Sequence, residues 1–234
     1  MIKNFKKTIA FTLAETLIVM GIIGIVSALT LPNLNSSTGE KEKIAKVKKL
    51  YQNLDDAYGR ARAVYGPLED WTKTDSTSGA KATRIGERMT EFMKVSKTCG
   101  TATNKGCFSN KNLLNYRGAN SAFVSWDQVD TCYKVILADG STVRFCSTGN
   151  MDVDIDGPNK GKNQIGLDLF RFNIDSNNGV SPQRVDNFSN YLAVPGFNLS
   201  GWVIDYDNMD YLKLDTSGKC PNGTAPTEQN PRCK

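Results

Sequence analysis

No histidine occurs in the 234 residues, so whatever chemistry the chain performs is done without one. That removes the commonest general base, the usual partner of a nucleophilic serine or cysteine, and the usual nitrogen ligand of zinc. Carboxylates and six cysteines remain. The run Asp152-Val153-Asp154-Ile155-Asp156-Gly157 has the D-x-D-x-D-G pattern that opens an EF-hand loop. Alternate oxygens before a glycine turn suit calcium, which takes roughly six to eight hard oxygens. The twelfth loop position is Asn163 instead of the usual bidentate glutamate, and no helical pattern flanks the loop. Asn159, Asn163 or Asp168 would have to complete the shell in another loop shape. The competing reading is a solvent-facing strand end, with Asp156-Gly157-Pro158-Asn159 a plain turn. Acid–base catalysis by these carboxylates is disfavoured, and the chain reads as a non-enzyme with no required cofactor, calcium being the one ion it could take.

The elements that must position these groups start with an apolar stretch. Phe11 to Leu31 runs FTLAETLIVMGIIGIVSALTL, with Glu15 its one charge. As a helix it would be roughly 31 Å long, about the thickness of a bilayer's hydrocarbon core. Lys3, Lys6 and Lys7 lie just before it, which keeps the N-terminus cytoplasmic and places everything after Leu31 outside. Without the first ten residues, 26 basic side chains face 24 acidic ones. Such a nearly neutral body does not suggest a nucleic-acid binder. A secretory signal would need a shorter apolar region and a better cleavage site than Ser27-Ala28-Leu29-Thr30 offers. A plain anchor would not explain a carboxylate at the entry to hydrocarbon, where such groups are costly and usually functional.

The segment Lys6-Lys7-Thr8-Ile9-Ala10-Phe11-Thr12-Leu13-Ala14-Glu15 resembles the processing site of type IV prepilins and type II secretion pseudopilins. The resemblance implies cutting between Ala10 and Phe11, methylation of the new Phe11 amino group, and Glu15 as the assembly glutamate five residues into the mature chain. It departs from the family at Ala10, where glycine is usual. Pro32 falls where a helix-breaking proline is common in pilins, and Gly21 and Gly24 lie in the segment before it. In a filament of packed helices, Glu15 would pair with a neighbour's amino terminus and so set the axial register. The resemblance further implies a prepilin peptidase, an inner-membrane assembly platform and other pilin-like subunits as partners. It also implies an inner-membrane precursor, with a periplasmic head, that becomes a pilus or pseudopilus filament, and some pseudopilin heads carry calcium. It spans only about 25 residues.

Beyond Pro32, a polar stretch at 33–39 predicts a kink or a melted segment. Ile44, Val47, Tyr51, Leu54, Tyr58, Ala61 and Tyr65 then mark one face of a helix that Gly66-Pro67 ends. In the family this is the lower half of one long helix laid on a sheet. The organisation expected is therefore a leader over 1–10, a long N-terminal helix over 11–66 with its membrane half at 11–31, and an extracytoplasmic head over 67–234. On that side of a membrane an even cysteine count predicts disulfides, and sequential spacing pairs Cys99 with Cys107, Cys132 with Cys146, and Cys220 with Cys233. Cys132 and Cys146 flank a hairpin whose Asp139-Gly140 turn aligns them if the loop is Ala138-Asp139-Gly140. Ile85, Met89, Phe92 and Met93 suggest a short helix within 84–97. The runs 167–174 and 202–206 read as strands, and 110–126 as loop. The fold class is α+β, a long helix packed on a disulfide-stapled antiparallel-sheet head. The function expected is a structural filament subunit. The alternative is a membrane-anchored binding protein or enzyme that keeps its first ten residues.

Overall fold

A computed structural model describes residues 12–177, 179–193 and 196–233. The chain divides into two compact units, Met1–Lys41 and Glu42–Lys234. Helix α1, Leu13–Tyr65, begins in the first unit and ends in the second. It stays helical across Pro32 and over 33–39, so the expected melted stretch is absent from the backbone. Phe11 and the side chains of 27–31, part of the expected membrane half, lie outside the described residues. Among the described residues no helix is long and apolar enough to cross a membrane.

Within the second unit, α1 buries Ile44, Val47, Leu50, Leu54, Ala57, Tyr58 and Ala61, spaced by helical turns along one stripe. Gly66, at φ +77°, stops the helix in a conformation that favours glycine, and its N–H bonds back to the Arg62 carbonyl. Short helix α2, Leu68–Trp71, follows. Helix α3, Ser78–Thr90, starts at Thr77, whose hydroxyl accepts from the Ala80 N–H. The helix therefore lies ahead of the expected 84–97, and the end of that window is strand instead.

Six strands form one antiparallel meander in sequence order: β1 Val95–Gly100, β2 Cys132–Leu137, β3 Thr142–Cys146, β4 Asn150–Asp154, β5 Leu169–Asp175 and β6 Gly179–Pro182. Alternation sorts their side chains cleanly. Val135, Val143, Val153 and Phe170 stand opposite one another on the inner face. They share a core with α1 and α3. The neighbouring positions, Lys134, Arg144, Asp152 and Arg171, form a row on the outer face. Irregular chain covers that face, including Phe108, Leu113, Trp126 and Ile165. Residues 202–206, expected as a strand, belong to helix α4, Leu199–Tyr206, which packs Trp202 and Val203 into the main core. The α+β class and the three disulfides, Cys99–Cys107, Cys132–Cys146 and Cys220–Cys233, are present.

Candidate functional site

At the start of α1, Thr12 and Glu15 satisfy one another. The Glu15 carboxylate accepts from the Thr12 backbone N–H at 2.9 Å and from its hydroxyl at 2.8 Å. The Glu15 N–H donates back to the Thr12 Oγ1 at 3.3 Å. This is a capping box, a T-x-x-E pattern that closes two orphan donors of a helix start. The pattern is legible in the sequence at Thr12-Leu13-Ala14-Glu15. From Leu13 to Val26 every large apolar side chain is exposed, including Leu17, Ile18, Val19, Met20, Ile22, Ile23 and Ile25. A helix that is apolar all round needs an apolar surrounding. Ala10 and Phe11, the expected cleavage and methylation positions, lie outside the described residues.

The acidic turn is built differently from the expected calcium loop. Asp152 is fully buried, with one oxygen on Arg144 Nε at 2.8 Å and both oxygens held by Arg171. Burial alone would raise its pKa, but the two guanidiniums hold it below the usual carboxylate range. Asp154 accepts from the N–H groups of Asp156 and Gly157 at the end of β4. Its burial, and then the nearby charge of Asp168, push its pKa up to about 8. Asp168 accepts from the N–H groups of Lys162, Asn163 and Gln164, yet burial still raises it. Asp156 faces Lys43 and Lys46 on α1, and they hold its carboxyl low against the opposing effect of burial. Asn163 turns its amide to the carbonyls of Lys111 and Asn112, and Asn159 is exposed. Asp154, Asp156 and Asp168 thus gather around one turn, whereas Asp152 and Asn163 serve other partners. Among the described residues no cluster of three or more carboxylate, cysteine or histidine side chains is arranged to hold a metal ion.

The outer face carries charge that sequence reasoning missed. Asp127, 2% exposed, accepts from the N–H groups of Gly106, Cys107 and Phe108 and so fixes the loop next to the Cys99–Cys107 bridge. Lys134 is fully buried, and its ammonium bonds the Val129 carbonyl. Desolvation lowers its pKa against the pull of Asp127. Trp126 lies over Arg144 at 4.5 Å and Phe197 over Arg171 at 3.8 Å, so aromatic rings roof the buried Arg144 guanidinium and the partly buried one of Arg171. The signal was available, since Lys134, Arg144 and Asp152 hold alternate positions in apolar strands. The arrangement is suited to holding a loop cover on a sheet. No family model, no curated protein and no solved structure matches this chain.

Proposed function

We propose that the chain is a structural subunit of a type IV pilus-like or pseudopilus filament, made as a membrane precursor and assembled after its leader is removed. One observation carries the reading. A basic, prepilin-like segment leads directly into a helix start that exposes apolar side chains on every side, ahead of a disulfide-stapled head. Such a surface needs either lipid or other helices around it, and a filament subunit uses both in turn. The partners are further pilin-like subunits, a prepilin peptidase and an inner-membrane platform. The head is periplasmic before assembly, and no active site or cofactor is needed.

Intact-mass analysis and N-terminal sequencing of membrane-extracted protein test this. The expected product lacks Met1 to Ala10 and begins with N-methylated Phe11. A product that still carries Lys3, or one that begins after Ala28, would contradict it. Retention of Lys3 would favour a membrane-anchored receptor or enzyme.

A further inference from the structure

The three bridges differ in how far a reagent in water can reach them. Cys132 and Cys146 are both buried, 3% and 7% exposed, on the hairpin that they close. In each of the other two, one cysteine is buried and its partner half-buried: Cys107 with Cys99, and Cys220 with Cys233. Charge separates these two. The Lys97 ammonium and the Cys99 sulfur both reach the Lys105 carbonyl oxygen, the sulfur at 3.6 Å, and both lysines are exposed. Cys233 lies instead beside Asp210, which accepts its N–H at 2.8 Å and is already paired with Lys213. The loop that Cys99–Cys107 closes does not need the bridge to stay in place. The Asp127 carboxylate, on the loop's buried side, accepts from Gly106, Cys107 and Phe108, and its backbone carbonyl accepts from the Asn104 N–H. Phe108 packs edge-on against Trp126 beneath. With the bridge open, the loop remains seated and Cys107 remains covered.

We propose that Cys99 is a site of thiol exchange in the folded head, where a small anionic thiol of the glutathione class is taken up as a mixed disulfide. The inference goes beyond the filament reading and does not depend on it. A thiolate attacks the sulfur that it can reach, and here that sulfur is Cys99 Sγ, with Lys97 beside it to attract a negative charge. The new bond joins the small thiol to Cys99, the Cys99–Cys107 bond breaks, and its electron pair leaves on Cys107. The proton that the small thiol gave up ends on Cys107, because burial and the Asp127 carboxylate both disfavour a thiolate there. One disulfide replaces another, so no oxidant or reductant is consumed. A protonated Cys107 is slow to attack back, and the adduct therefore persists. The result is a charged tag on β1, at the edge of the sheet.

Reduced glutathione added to the folded, oxidised full-length chain in detergent provides the test, followed by alkylation in denaturant and peptide mapping. A single adduct is expected, on Cys99, with Cys107 newly alkylated and the other two bridges intact. Lys97→Gln should slow uptake about fivefold at low salt, the size of effect that a surface charge has, and the difference should shrink as salt is raised. Two further variants check access. In Cys107→Ser the free Cys99 should react promptly with an aromatic disulfide reagent, whereas in Cys99→Ser the free Cys107 should react only in urea. Glutathione found first on Cys233 or on either hairpin cysteine would overturn the proposal. So would simultaneous opening of all three bridges, prompt labelling of Cys107 without urea, or no adduct under excess glutathione. An unchanged rate in Lys97→Gln would overturn the part assigned to Lys97.

Discussion

Asp152 and Asp154 lie two residues apart on the same face of β4, both buried, yet their acidities move in opposite directions. The difference is in what their oxygens touch. Two guanidiniums hold Asp152 ionised, whereas Asp154 is raised by its burial and by the like charge of Asp168. A carboxyl raised from 3.8 to about 8 keeps a proton in the folded chain that the unfolded chain has already released. Its contribution to stability is therefore complete below about pH 3.8 and is lost as pH rises through about 8. Asp154→Asn keeps the acceptor for the two turn N–H groups but cannot ionise. The variant should lose less stability than wild type between pH 6 and pH 9, as read from urea midpoints; equal losses would mean that Asp154 is not the group titrating. Glu15 permits a similar separation of roles. Glutamine also serves at the third position of a capping box. Glu15→Gln thus keeps the helix start and removes only the charge. If the carboxylate pairs with a neighbour's amino terminus, assembly should fall about a hundredfold or more, because an unpaired buried charge costs roughly 3–5 kcal/mol. Sheared filament measured against membrane-retained subunit decides it, and an unchanged yield would leave Glu15 a cap alone. At this scale the sequence reveals which residues are polar and oddly placed. It does not reveal that the Asp152 oxygens go to Arg144 and Arg171, because those partners come from neighbouring strands, 8 and 19 residues away.

Elements were legible in proportion to how locally they are determined. The β2–β3 hairpin is set by its own turn: Gly140 sits at φ +87°, the loop is three residues, and Cys132 faces Cys146 with Cα atoms 4.1 Å apart. The stripe on α1 was equally readable: it gained Leu50 and Ala57 as buried members, while Tyr51 and Tyr65 are only partly buried against the core. Trp202 to Tyr206 was not. A short apolar run fits a strand or a buried helix equally well, and the deciding contacts, Trp202 against Phe188, Tyr191 and Tyr211, belong to tertiary packing. Helix α3 was displaced because its apolar period runs on into Phe92 and Met93, while its start depended on a cap at Thr77. The hairpin bridge offers an element-level test. Replacing Cys132 and Cys146 together by serine should cost about 3 kcal/mol, the chain-entropy value for a loop near 15 residues. Urea unfolding measures the cost, and amide exchange should quicken in β2 and β3 ahead of β5 and β6. Uniform acceleration across the sheet would mean that the bridge holds the whole fold and not the hairpin.

At the scale of the whole molecule, the two units solve opposite problems. The head of residues 42–234 closes its core on the inner face of the sheet and roofs the outer face with bridged loops, leaving few large apolar side chains in water. Its part of α1 is held by apolar burial and by lysines set on carboxylates, Lys48 on Asp207 at 2.7 Å and Lys49 on Asp139 at 3.5 Å among them. Exposed ion pairs of this kind contribute at most about 1 kcal/mol each. The buried stripe from Ile44 to Ala61 therefore does most of the anchoring, and each large-to-small change there would cost on the order of 2–5 kcal/mol. None of that stripe lies before residue 42. A chain shortened to residues 42–234 should consequently keep its three disulfides and its cooperative unfolding, and should elute as a monomer without detergent. The full chain, with Leu13 to Val26 uncovered, should partition into membranes or associate under the same conditions. Size-exclusion chromatography with light scattering compares the two directly. Aggregation of the shortened chain would show that the head needs the first unit to cover a surface of its own. A monomeric, detergent-free full chain would remove the need for lipid or neighbouring helices, and with it the main physical argument for assembly.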